Sequence, residues 1–148
     1  MRLRRLLLSL LAALTVMAST ALVGAAPAGA TTTRESALLT KINDARTAHG
    51  LRPVRLSSDL STTARRHSRQ MASSATLFHT ADFTSICCWS AIAENVGWDY
   101  TVRLLHRALM QSPTHRRNIL DPAMRLVGVG IISSGGRLWA TELFTKPA

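Results

Sequence analysis

The stretch "RLVGVGIISSGGRLWATELF", residues 125–144, decides the fold. Its apolar residues alternate along two runs, and Ser133, Ser134, Gly135 and Gly136 separate them, which is the pattern of a β-hairpin. In the first run Val127, Val129 and Ile131 share one face, while Gly128 and Gly130 occupy the other. Glycines at alternate positions of a strand mean that something packs unusually close on that side. In the second run Glu142 points to the same side as Leu138, Ala140 and Phe144. A carboxylate on an apolar face needs a partner or a role.

Upstream of the hairpin the period is helical. A first helix should begin at the capping box Thr32-x-x-Glu35, bury Leu38, Leu39, Ile42 and Ala45, and stop at Gly50. The short link "LRPVRL" leads to a second helix that starts near Ser58 or Asp59. Its inward stripe is Leu60, Ala64, His67 or Ser68, and Met71. The following segment, "ATLFHTADFTSICCWSAIAENVGWD", has no helical period and many turn formers, so it reads as irregular with one short strand. A third helix spans about Thr101 to Gln111, with Val102, Leu105, Leu109 and His106 as its inward residues. Three or four helices around a small, mostly antiparallel sheet make an α+β domain.

The fourth helix, "SPTHRRNIL", carries the first hint of chemistry. Ser112 is placed to cap it, Pro113 suits its first position, and Asp121-Pro122 ends it. His115 falls in the first turn beside Arg116 and Arg117. The helix dipole and both guanidinium groups disfavour an imidazolium there, so the ring is expected to be neutral and able to accept a proton or hold a metal. His49, His67 and His106 lie on helices, where packing explains them. His79 and Glu94 lie in the irregular segment, and loop residues on a rigid scaffold carry function disproportionately often. His79, Glu94 and His115 together would suit Zn²⁺ or another divalent cation.

Composition sets the setting. "MRLRR", an apolar run and "AAPAGA" read as a secretory signal cleaved after Ala30, with an uncleaved membrane anchor as the alternative. The exported chain would be one domain, residues 31–148, and a monomer is the expectation. Without Arg2, Arg4 and Arg5 it carries 15 basic and 8 acidic residues, about +7. That favours anionic surface polymers, while the scattered arginine pairs and few nearby aromatics argue against a specific nucleic-acid site. The two cysteines, Cys87 and Cys88, are adjacent. Neighbouring Cα atoms stand about 3.8 Å apart, short of the usual disulfide window, which leaves two thiols or a bridge to another chain. There is no CxxC spacing, no HExxH and no GxSxG.

Five stretches in register, "LLTKINDARTAHGLRPV", "LFHT", "AENVG", "SPTHRRNIL" and "VGVGI…LWATELF", resemble the CAP superfamily of cysteine-rich secretory proteins, antigen 5 and pathogenesis-related proteins, in its compact bacterial form. The resemblance covers roughly residues 36–146. It implies an α-β-α sandwich and a central cavity of two histidines and two acids. His79, His115 and Glu94 match three of these, with Glu94 the candidate general base. The second acid is expected near Ser112, where this chain has none. The chain also has Ala93 where a glycine is usual, Leu109 where a tryptophan is usual and Glu142 where a glutamine is usual. Glu142 would supply the missing charge if its face meets the cavity, and an ion pair with an arginine is the alternative. Three functions compete: binding of a lipid, sterol or glycan, as the resemblance implies; metal-assisted hydrolysis through His79, His115 and Glu94; or an exported effector or antigen whose His/Glu cluster is structural.

Overall fold

A computed structural model describes residues 31–148. The signal expected over residues 1–30 lies outside the described residues. The chain forms an α-β-α sandwich. In order, the elements are α1 (Thr33–Ala48), β1 (Arg55–Leu56), α2 (Ser58–Ser74), β2 (Trp89–Asp99), α3 (Val102–Gln111), α4 (Pro113–Ile119), β3 (Leu126–Ser134) and β4 (Arg137–Pro147). The sheet order is β1-β3-β4-β2, with only the β1–β3 pair parallel.

The hairpin forms as its pattern demands. Ser134 pairs with Arg137 across Gly135 and Gly136, whose φ values of +58° and +74° are the left-handed pair that a tight two-residue turn requires. Val127, Val129, Ile131, Leu138, Ala140 and Phe144 face the layer of α1, α3 and α4, and pack there with Leu38, Ile42, Leu105, Leu109 and Ile119. The glycine face meets α2. A Cβ on Gly128 would lie 2.2 Å from the Leu60 carbonyl carbon, and one on Gly130 would lie 2.2 Å from the Arg65 amide nitrogen. The two glycines thus let a helix backbone sit directly on the sheet.

Two expectations are corrected. The link "LRPVRL" contains a strand, β1, which Asn43 holds by donating to the Val54 carbonyl and accepting from the Val54 amide. The segment read as irregular ends in the eleven-residue β2, which pairs with β4 from Trp89 to Asp99 around an irregularity at Ser90. Partial burial on both faces removes the clean alternation that would have marked this strand.

Because β1 is only two residues long, the edge of β3 beyond it is open, and side chains close it. Val129 N donates to Ser61 Oγ and Ile131 N donates to Glu35 Oε1. Glu35 also caps α1 by accepting from Thr32 N, and it receives Nε and Nη2 of Arg65 at 2.8 and 2.7 Å. Arg46, fully buried, donates to the carbonyls of Arg52, Ile119, Asp121 and Met124. It ties the end of α1 to the exit of α4 and the approach to β3.

Candidate functional site

Successive residues of a strand point to opposite faces, and this separates the two carboxylates of the sheet. Glu94 lies opposite Leu143 on the α2 face, whereas Asn95 lies opposite Glu142 on the other. Glu142 therefore does not join Glu94 across a common cavity. No arginine pairs with it among the described residues: it is completely buried, and its recorded partner is Asn95 Nδ2 at 2.9 Å.

Glu94 organises the α2 face. Its Oε2 accepts from His79 Nδ1 at 2.8 Å and from Thr80 N at 2.9 Å, and its Oε1 accepts from Thr80 Oγ1 at 2.6 Å. The fourth neighbour is His67, whose Nδ1 stands 3.3 Å from Oε1 and 3.2 Å from Thr141 Oγ1. A carboxylate offers about four acceptor directions; donors from His79 and Thr80 take three of those of Glu94, and the His67 ring stands against the remaining side. An ionised carboxylate only accepts, so His79 carries its proton on Nδ1 and, when neutral, presents a bare Nε2 outward. The His79 side chain is 60% exposed, while that of His67 is 6% exposed and packs edge-on against Phe78 at 5.1 Å. Burial pushes His67 below the ordinary imidazole pKa; Glu94 opposes that shift and His79 reinforces it. A hollow of about 390 Å³ opens above the pair, bounded by Thr63, Arg66, Gln70 and Phe78.

His115 reaches this region from α4. It is half-buried, and burial first and then the charge of His79 lower its pKa. Its neutrality thus has a different main cause from the helix dipole and flanking arginines expected from the sequence. Its backbone carbonyl accepts from Asn95 Nδ2, and Asn118 bridges Glu94 O and Asn95 Oδ1. Ser112 sits at the N-cap of α4 without a side-chain capping bond and does not line the hollow beside His79.

Three participants had no mark of their own in the sequence. His67 sits in the stripe of α2 that faces the core, and only its place below β2 and β4 brings it to Glu94. Asn95 and Asn118 lie inside "AENVG" and "SPTHRRNIL", so the motifs contained them without showing their task, which is to fasten α4 to the sheet.

Comparison with known proteins settles the family. The model of the cysteine-rich secretory protein family, CAP, matches residues 39–144. This chain belongs to that family. The CAP chain is similar in structure to an outer surface protein from Borrelia burgdorferi, at 16% identity over 76% of this chain and 92% of that one, with a TM-score of 0.70. It is also similar to an extracellular protein containing an SCP domain from Bacillus anthracis, at 17% identity over 76% of this chain and 40% of that one, with a TM-score of 0.68. Schistosoma mansoni venom allergen-like protein 4 gives 11% identity over 80% of this chain and 91% of that one, with a TM-score of 0.68. No curated protein matches the sequence.

The CAP chain differs from expectation at its cysteines. Cys87 and Cys88 are bonded to each other, with Cα atoms 3.8 Å apart and Cys88 in the left-handed region at φ +69°. The expected choice between free thiols and an intermolecular bridge is replaced by a bridge between neighbours. Among the described residues no helix is long and apolar enough to cross a membrane.

Proposed function

We propose that this CAP domain is an exported binding module for a lipid, sterol or glycan, and that its Glu94 cluster braces the binding surface instead of performing hydrolysis. The engagement of Glu94 by the protein's own donors carries this reading. A general base needs a free lone pair aimed at the water it activates, and Glu94 gives three lone-pair directions to His79 and Thr80 while the His67 ring crowds its other side. The same bonds pin the segment between α2 and β2, whose residues line the hollows on this face. The exposed Arg103, Arg107, Arg116 and Arg117 lie on α3 and α4, which carry no acidic residue, and would let an anionic surface polymer approach.

Glu94→Gln tests the brace. Amide exchange at Thr80 should rise and capture of sterol-containing vesicles or chitin oligomers should fall, with no turnover of ester, amide or glycoside substrates by the parent protein. Turnover that disappears in Glu94→Gln while Thr80 exchange stays unchanged would overturn the reading.

A second reading, cation binding, draws on the bare Nε2 of His79 and the nearby neutral His115. Glu94 would then act as the outer partner that orients His79. Among the described residues no three His, Cys, Asp or Glu side chains stand together at metal-holding spacing. The donors present do not make the three-ligand set of a hydrolytic zinc. Calorimetric titration with Zn²⁺ is expected to give at most weak binding, abolished in both His79→Ala and His115→Ala. Tight binding that survives either substitution would refute the assignment of these ligands.

A further inference from the structure

A second hollow on the same face has no histidine or glutamate in its lining. It has a volume of about 590 Å³, within the range of small-molecule sites. It lies at the N-terminal end of α2, between the Cys87–Cys88 bridge and the ends of β3 and β4. Its floor is apolar, made by Leu60, Ile86, Leu126, Pro147 and the disulfide. Its polar lining is hydroxylic: Thr63, Ser85 and Thr145 all border it, and among the described residues none of their hydroxyls has a hydrogen-bond partner within the protein. The one charged residue on its wall is Asp59. On a chain of strongly positive net charge, this is a hollow without a lysine or arginine.

We propose that this hollow binds an uncharged pyranose unit of a glycan. The proposal rests on the binding-module reading and gives it a ligand class and a place. A pyranose offers a flat C–H face and an edge of hydroxyls, which correspond to the apolar floor and the unpaired Thr63, Ser85 and Thr145. The soft, polarisable sulfur atoms of the bridge extend the floor. An anionic lipid head or a phosphate would meet Asp59 with no cation to offset it. The wall is formed in advance, which lowers the ordering cost of binding. Asp82 accepts from the amide and hydroxyl of Thr84, Ile86 N donates to Phe83 O, and Trp89 Nε1 donates to Ile86 O. Cys88 O accepts from Ala148 N, which holds the chain end against the bridge.

The test is a two-dimensional NMR titration of residues 31–148 with N-acetylglucosamine trimer and, separately, with a sulfated saccharide and with inorganic phosphate. Shifts should cluster at Leu60, Thr63, Ser85, Cys88 and Leu126 with the neutral trimer alone. Ser85→Trp, which fills the hollow from an exposed loop position, should weaken binding at least about tenfold. Lys41→Ala, on α1 in the layer across the sheet, should bind like the parent, because Lys41 neither borders this hollow nor belongs to the Glu94 cluster. If Ser85→Trp does not fold, the pair Cys87→Ser with Cys88→Ser removes the floor's sulfur bridge and should weaken binding similarly. Tighter binding of the sulfated sugar or phosphate, or shifts confined to the His79 side, would overturn the proposal. Absence of saccharide shifts while sterol-containing vesicles are still captured would overturn it too, and leave the binding-module reading standing.

Discussion

Replacing Glu142 by glutamine should stabilise the protein at alkaline pH and weaken it by about 1 kcal/mol in acid. Glu142 is completely buried on β4 between Ala140 and Phe144, and one of its oxygens, Oε1, has no partner. Burial pushes its carboxyl from 4.5 up to about 7, and the Asn95 hydrogen bond offsets only part of that rise. A carboxyl whose folded pKa lies above its unfolded value stabilises the fold while protonated and loses that contribution as pH climbs through the interval. With 1.36 kcal/mol per pKa unit, the interval from 4.5 to about 7 amounts to about 3 kcal/mol lost above neutrality. Glutamine keeps the acceptor for Asn95 and cannot ionise, although its amide leaves donors unsatisfied at a cost of about 1 kcal/mol. The net gain at pH 8.5 should be about 2 kcal/mol. Urea unfolding of both proteins from pH 4 to pH 9 isolates the effect, because the difference curve cancels titrations common to both. His67, His106 and His115 have lowered pKa values and act in the opposite sense, weakening both proteins in acid. A difference flat across this range, or a variant weaker than the parent at pH 8.5, would refute the uncompensated buried charge.

Two other perturbations follow from contacts with no slack. Gly130→Ala drives a methyl into the backbone of α2 and should cost about 3 kcal/mol in denaturant unfolding, whereas Gly135→Ala, with open space around it at φ +58°, should cost about 1 kcal/mol through backbone strain alone. Equal losses would show that α2 gives way easily. Arg46→Met keeps an apolar stem but leaves four carbonyls without their donor, so thermal or urea unfolding should report a loss of at least about 3 kcal/mol.

The elements that could be read from the chain are those whose signal is local. Thr32 and Glu35 mark the start of α1 because a capping box needs only residues three apart. Gly128 and Gly130 announced a close neighbour because the absence of a side chain is itself the signal, although it could not say that α2 fills the space. Glu142 announced a buried carboxylate because alternation is a local property; which face it shares depends on β2, and β2 was hidden by its mixed burial. The site was legible in the same proportion. His79 and Glu94 stood out by lying outside helices, and they meet because the loop folds back onto β2. His67 lies twelve residues before His79 in the core stripe of α2, and no periodicity separates a packing histidine from one whose Nδ1 stands beside a carboxylate. The glycine faces, however, explain its presence there. With Gly130 opposite Thr141, α2 descends far enough for Ser68 Oγ to reach Gly130 O and for His67 to reach Thr141 and Glu94. The two glycines that fix the fold also bring the unforeseen histidine into the site. A methyl at Gly130 should therefore raise α2 and detach His67 from Glu94 as well as lower stability. A Gly130→Ala protein whose His67 ring resonances keep the parent's pH titration would show that helix depth and site geometry are independent.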